Sequence, residues 1–257
     1  MPFTNDQNGF QNETNFIKKI NNKRIKDLDF SLQLFITDLF NIKDYKQKII
    51  CYKNDGKQKT DIFIKIDNET KRISIKKGIK NSLHCEPISE LIHFLIKNKM
   101  PKNLIIEFLK YHYTDNTTNG TGKIRISIEE YKKNHQNEID KINQYIKQKK
   151  ILKKSIDRFI LQGRNSKYKI DAIIYGVPED FIWIKRNDIY KILMKKRKNY
   201  SSAIHFSNMI YQPLNRCLNQ NKKYEKDRFI SQIKWYSIFD DIIENMNDNT
   251  MNKITFK

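Results

Sequence analysis

The stretch DIFIKIDNETKRISIKKGIKNSLHCE, residues 61 to 86, sets an acid, a hydroxyl and an ammonium where one face of a hairpin could use them together. In DIFIKI, Ile62, Ile64 and Ile66 take one face of a strand, and Asp61, Phe63 and Lys65 take the other. In RISIKK, Ile73 and Ile75 share a face, opposite Ser74 and Lys76. A turn centred on Asn68 and Glu69 puts Asp61 directly across from Lys76. Shifting the turn by one position keeps both on one face and offsets them by one pair. A solvated ion pair has the same pattern and contributes only about 0–1 kcal/mol. The chemical alternative is phosphodiester hydrolysis. That reaction uses hard carboxylate oxygens for Mg²⁺, which polarises the phosphate and acidifies the attacking water. It also needs a cation beside the charge that develops.

The elements around the hairpin decide whether these groups meet. FQNETNFIKKINNKR, from Phe10 to about Arg24, has helical spacing, with Phe16, Ile17 and Ile20 as its apolar stripe. Glu13 precedes Phe16 and Ile17 by three and four residues and so shares that stripe, whereas first-turn acids usually serve only the helix dipole. A second helix follows from Asp27 or Asp29, and the strand candidates are KIICYK, DIFIKID and RISIKK. HCEPISELIHFLIKN is expected to open a helix with Pro87 in its first turn, which would set Glu86 at a helix start. NLIIEFLKYHY fits strand or helix. Residues 127 to about 163 predict one or two charged helices. KIDAIIYG, DFIWIK, SAIHFSNMIYQ and RFISQIKWY predict strands, with a short helix at RNDIYKILMKK.

The 257 residues carry 50 Lys and Arg against 29 Asp and Glu, a net charge of +21. Such a chain repels itself unless a polyanion offsets it, and nucleic acid is the commonest polyanion. AT-rich coding, which favours Lys, Asn and Ile, is the bland alternative. Cys51, Cys85 and Cys217 are scattered without CxxC or matching His spacing, so neither a zinc site nor a disulfide framework is expected. The start MPFTNDQNGF lacks a basic-then-apolar signal pattern, and no apolar run nears the roughly 20 residues that span a bilayer. A cytoplasmic protein without a membrane partner is expected.

In its order of parts, the chain resembles the PD-(D/E)xK nuclease superfamily, and within it type II restriction endonucleases. GFQNE at 9–13 is similar to the G-x-x-x-E start of several small restriction enzymes, KTD at 59–61 stands where the family often has Pro-Asp, and SIK at 74–76 stands at its acid-x-Lys. Thr60 replaces the proline and Ser74 the second acid. The resemblance implies an α/β (α+β) fold, a restriction-endonuclease-like core with a central mixed β-sheet flanked by helices, followed by a C-terminal β-rich DNA-recognition portion. It implies Mg²⁺ held by Asp61 with Glu13 or Glu86, Glu86 being the candidate for the acid missing at Ser74, and Lys76 positioning water. It further implies hydrolysis of double-stranded DNA to 5′-phosphate and 3′-hydroxyl ends.

Residues 1–125 are expected to form the nuclease core, and 126–257 a helical connection and DNA-recognition region packed with it. Gln162, Arg164, Asn165, His205, Gln212, Asn215 and Arg216 have the hydrogen-bonding groups to read base edges. A monomer or a homodimer is compatible with the sequence, as is a companion DNA methyltransferase. The competing readings are a non-catalytic DNA- or RNA-binding protein and a nuclease for repair or recombination structures.

Overall fold

The computed structural model describes residues 7–56, 58–78, 82–122, 125–164, 166–195, 203–215 and 222–254. They form two units drawn from both halves of the chain. One unit comprises residues 1–80, 160–192 and 237–257, the other 81–159 and 193–236. The chain leaves the first unit after its third strand and returns to it later.

The first unit is built on a five-stranded mixed sheet. Strands β1 (Ile49–Lys53), β2 (Ile62–Ile66) and β3 (Glu69–Lys76) run antiparallel in sequence. Helices α1 (Gln7–Ile20) and α2 (Phe30–Phe40) precede them. The period-two isoleucines decide which face is buried: Ile49, Ile62, Ile64 and Ile73 are fully buried against Phe16 and Ile20 of α1 and Phe35 and Ile36 of α2. Burying one such side chain stabilises the fold by about 1.5–3 kcal/mol. Asn41, in the left-handed conformation at φ 54°, ends α2.

The hairpin register differs from the expected one. Asp67 takes a left-handed φ of 49°, so the turn lies on Asp67 and Asn68, and Ile62 pairs with Ile73. Within the paired strands this is the one-position shift, and beyond Ile62 the Asp61 side chain meets Ser74 rather than Lys76.

Between β3 and its parallel neighbour the chain runs through the second unit. Its elements there are β4 (Ser82–Pro87), α3 (Ile88–Lys97), α4 (Lys102–Tyr113), α5 (Ile128–Asn134), α6 (Gln136–Ile146) and α7 (Lys149–Ile156), followed by a π-helical turn at Asp157–Gln162. β5 (Ala172–Val177) then pairs in parallel with β3, and β6 (Asp180–Lys185) closes the sheet antiparallel to β5. Helix α8 (Arg186–Met194) leads to β7 (His205–Phe206), β8 (Met209–Pro213) and β9 (Ile230–Lys234). These strands form with β4 a second sheet, ordered β4-β9-β8-β7. Helix α9 (Ile238–Ile254), where no element is expected from the residue pattern, completes the first unit. Among the described residues, no helix is long and apolar enough to cross a membrane.

Glu86 lies on a strand rather than at a helix start. Pro87 is the N-cap of α3, and HCE pairs with β9 instead. The Glu86 side chain, 3% exposed, is gripped within the second unit by Arg158, whose Nε and Nη2 donate to its two oxygens at 3.1 and 2.5 Å. His84 Nε2 lies 3.3 Å from Oε2. Burial pushes the Glu86 carboxyl up, but His84 and Arg158 beside it outweigh burial and hold it below the ordinary carboxylate range.

That lowered value stabilises the fold above pH 4.5, the ordinary glutamate value, and the contribution is lost as pH falls through the lowered one. Arg158→Ala strands a buried carboxylate and is expected to cost about 3 kcal/mol in urea unfolding at neutral pH. Replacing Glu86 and Arg158 together with apolar residues is expected to recover much of the loss, and an equal loss in both variants would contradict the pairing.

Candidate active site

Asp61 stands just before β2, and three sets of contacts fix it there. Its backbone N–H donates to Ile73 O at 2.8 Å. Asn54 holds the approach, its side-chain amide donating to Thr60 O at 2.8 Å and its backbone N–H to Asp61 O at 3.0 Å. The carboxylate then accepts from Ser74 Oγ at 2.9 Å and from Ile75 N–H at 2.5 Å, both on Oδ2. Such charge-assisted bonds are strong and directional. They lock the rotamer, and among the described residues Oδ1 carries no hydrogen bond. Ser74, 2% exposed, spends its hydroxyl on this clamp. Where the acid-x-Lys pattern has a second carboxylate, this chain has a hydrogen-bond donor that orients the first.

Lys76, half-buried at the end of β3, makes no ion pair or side-chain hydrogen bond among the described residues. Its place is set by β5: it pairs with Tyr175, whose hydroxyl donates to Gly78 O at 2.9 Å.

Glu13 arrives from α1. The neighbouring Asn12, 3% exposed, donates its amide to Gly176 O at 2.9 Å and ties the helix to β5. Gly176 sits at φ 130°, and a Cβ there would fall 2.3 Å from Asp180 O, so this anchor requires glycine. Glu13, only 13% exposed, pairs with Lys53 Nζ at 3.2 Å, and that ammonium also lies 4.4 Å from the centre of the Phe10 ring. Burial raises the Glu13 carboxyl above its ordinary value and the charge of Asp61 raises it further, while Lys53 and Lys76 pull it down. One carboxylate and two ammonium groups thus act on Glu13.

Lys53 is the residue that sequence reasoning missed. The signal was present, since 49, 51 and 53 share a strand face and Lys53 continues the face of Ile49 and Cys51.

Among the described residues no three His, Cys, Asp or Glu side chains group as a metal site. Mg²⁺, however, is commonly held by one or two carboxylates, with waters and substrate phosphate completing the shell. Asp61 Oδ1, which carries no hydrogen bond among the described residues, and the Glu13 carboxyl, raised by burial and by Asp61's like charge, fit that requirement. Glu86 belongs to the other unit and is engaged by Arg158 and His84.

The expected base-reading residues are scattered. Gln162 donates its amide to the carbonyl of Ser166, and Arg164 is exposed, both in the first unit. In the second unit, His205 is only 2% exposed, its N–H bonded to Asn143 Oδ1 at 2.9 Å, so it is a core residue rather than a surface reader. Gln212 donates to Gln232 Oε1 at 2.8 Å, and Asn215 to Asp227 Oδ2 at 2.7 Å. Asn165 and Arg216 lie outside the described residues.

No protein-family model matches this sequence, and neither does any curated protein. Among solved structures, the restriction endonuclease MspI, determined in complex with its cognate DNA, superposes with a TM-score of 0.52. The match covers 90% of this chain and 93% of that one at 12% sequence identity. At such identity the likeness concerns the backbone: the mixed five-stranded sheet flanked by helices is a restriction-endonuclease-like fold.

Proposed function

We propose that this protein is a Mg²⁺-dependent endonuclease that cuts double-stranded DNA at a specific sequence, as type II restriction enzymes do. The observation that carries the proposal is the Asp61 carboxylate, clamped on one oxygen by Ser74 and Ile75, with Glu13 and Lys76 in electrostatic reach. The restriction-endonuclease-like fold and the net charge of +21 support a DNA substrate. As a monomer the protein would cut the two strands in turn; as a homodimer it would cut them together. A companion methyltransferase would protect the host's own sites.

In this reaction the Asp61 and Glu13 carboxylates would hold Mg²⁺, which when bound would supply Lewis acidity to the phosphate and acidify water. Ser74 and the Ile75 N–H keep the Asp61 carboxylate from rotating as phosphate arrives. Lys76 directs its ammonium toward the attacking water and offsets charge gathering on the phosphate oxygens. The water's oxygen bonds to phosphorus and releases a proton to solvent while the bond to the 3′ oxygen breaks. That oxygen takes a proton from solvent, leaving 3′-hydroxyl and 5′-phosphate ends.

Incubating the protein with mixed phage and plasmid DNA is expected to give discrete bands with Mg²⁺ and none with EDTA. Lys76→Ala is expected to slow cleavage by at least about 10²-fold. Asp61→Asn is expected to abolish cleavage while DNA binding is kept or tightened. A preference for branched DNA over any linear site would replace sequence specificity with structure specificity, and DNA that shifts on a gel yet stays intact would leave a binding protein.

Glu13 supplies a test that needs no substrate. Because its carboxyl is raised in the folded protein, the stability linked to its protonated form is complete below pH 4.5 and is lost as pH rises through the raised value. Without metal, Glu13→Gln is therefore expected to match the parent protein's melting temperature at low pH and exceed it at neutral pH. A lower melting temperature at neutral pH would mark Glu13 as a structural ion-pair partner.

A further inference from the structure

The ammonium of Lys53 pairs with Glu13, one of the two acids proposed to hold the metal. It sits 3.2 Å from Glu13 Oε2, while the Glu13 side chain is 13% exposed and that of Lys53 36%. The remaining lysine of the site, Lys76, influences Glu13 without pairing to it. We propose that Lys53 is a built-in counter-cation, which holds Glu13 in place before metal arrives and must surrender it to the incoming divalent ion. This inference rests on the metal reading above and adds to it a competition inside the site.

Three observations support a competition. First, Glu13 is 13% exposed and its side chain pairs with Lys53 at 3.2 Å, so the ammonium already supplies the positive charge that burial of this carboxylate calls for. Second, a divalent ion shared by Glu13 and Asp61 would meet the Lys53 ammonium at close quarters, and like charges there repel strongly. Third, the displaced ammonium has somewhere to stay. The exposed Phe10 ring already lies 4.4 Å beneath it and offers a cation–π contact independent of Glu13. Lys53 is thus a positioning residue, acting through Glu13 and setting the metal concentration at which the site fills.

The test is calorimetric titration of Mg²⁺ into the full-length, metal-free protein at pH 8, above the carboxylate range, without DNA. The parent protein is expected to bind Mg²⁺, and Asp61→Asn to lose that binding. Lys53→Met is expected to bind Mg²⁺ about tenfold more tightly, because the competing charge is gone. Lys53→Arg, which keeps the charge, is expected to stay near the parent value and serves as the control should Lys53→Met fold poorly; tenfold tighter binding by Lys53→Arg would overturn the proposal. Binding of equal or lower affinity in a folded Lys53→Met would overturn it and leave the metal reading intact. Failure of the parent protein to bind Mg²⁺ would overturn both.

Discussion

The Asp61 carboxylate is the joint on which the site depends. It lies one residue before β2, where backbone pairing alone would leave a side chain free to turn. The hydroxyl of Ser74 and the N–H of Ile75 take hold of one oxygen and make the acid part of β3 as well. Lys76 is one residue further along the same strand, so the clamp that orients the acid also fixes its spacing to the ammonium. The hairpin register set by Asp67 pairs Ile62 with Ile73, and next to that pair the Ser74 hydroxyl reaches the Asp61 carboxylate. A pairing one step away would exchange the clamp for a direct Asp–Lys pair, satisfying both groups and leaving neither for a ligand.

The rest of the first unit holds a strained collection of charges in place. Burying two acids near each other is unfavourable, and the raised Glu13 carboxyl registers that cost. The apolar contacts of α1 and α2 with the isoleucine face of the sheet offset it, and the Asn12 bond to Gly176 fixes where α1 delivers Glu13. The contrast with Glu86 is instructive. It is more buried than Glu13, yet its carboxyl is lowered because a bidentate arginine and a histidine satisfy it. A carboxylate satisfied by protein partners serves the fold; one held beside another carboxylate is poised for an external cation.

Much of this could be seen in the sequence, and the gaps have physical causes. Period-two alternation identified both hairpin faces, and the three- and four-residue spacing from Glu13 to Phe16 and Ile17 turned that acid toward the sheet. The turn was misplaced because a left-handed Asp67 is a backbone choice that composition does not reveal. HCEP was assigned to a helix because proline suits a first turn. Pairing with β9, nearly 150 residues away, made it a strand instead. SAIHFSNMIYQ was expected as one strand and is a tight hairpin, with Ser207 at φ 61° making the bend. NLIIEFLKYHY, whose apolar run suits either element, is a helix. The parallel pairing of β3 with β5 is likewise a long-range event, and it decided which residues joined the site.

The most direct measurement is anomalous diffraction from crystals of the protein soaked in Mn²⁺ as a stand-in for Mg²⁺. The expected result is a peak bonded to Asp61 Oδ1 and the Glu13 carboxylate, with Ser74 and the Ile75 N–H still on Oδ2. A well-soaked crystal with no peak between those two acids, or with Mn²⁺ bound at Glu86 instead, would contradict the assignment of this hairpin as the catalytic face.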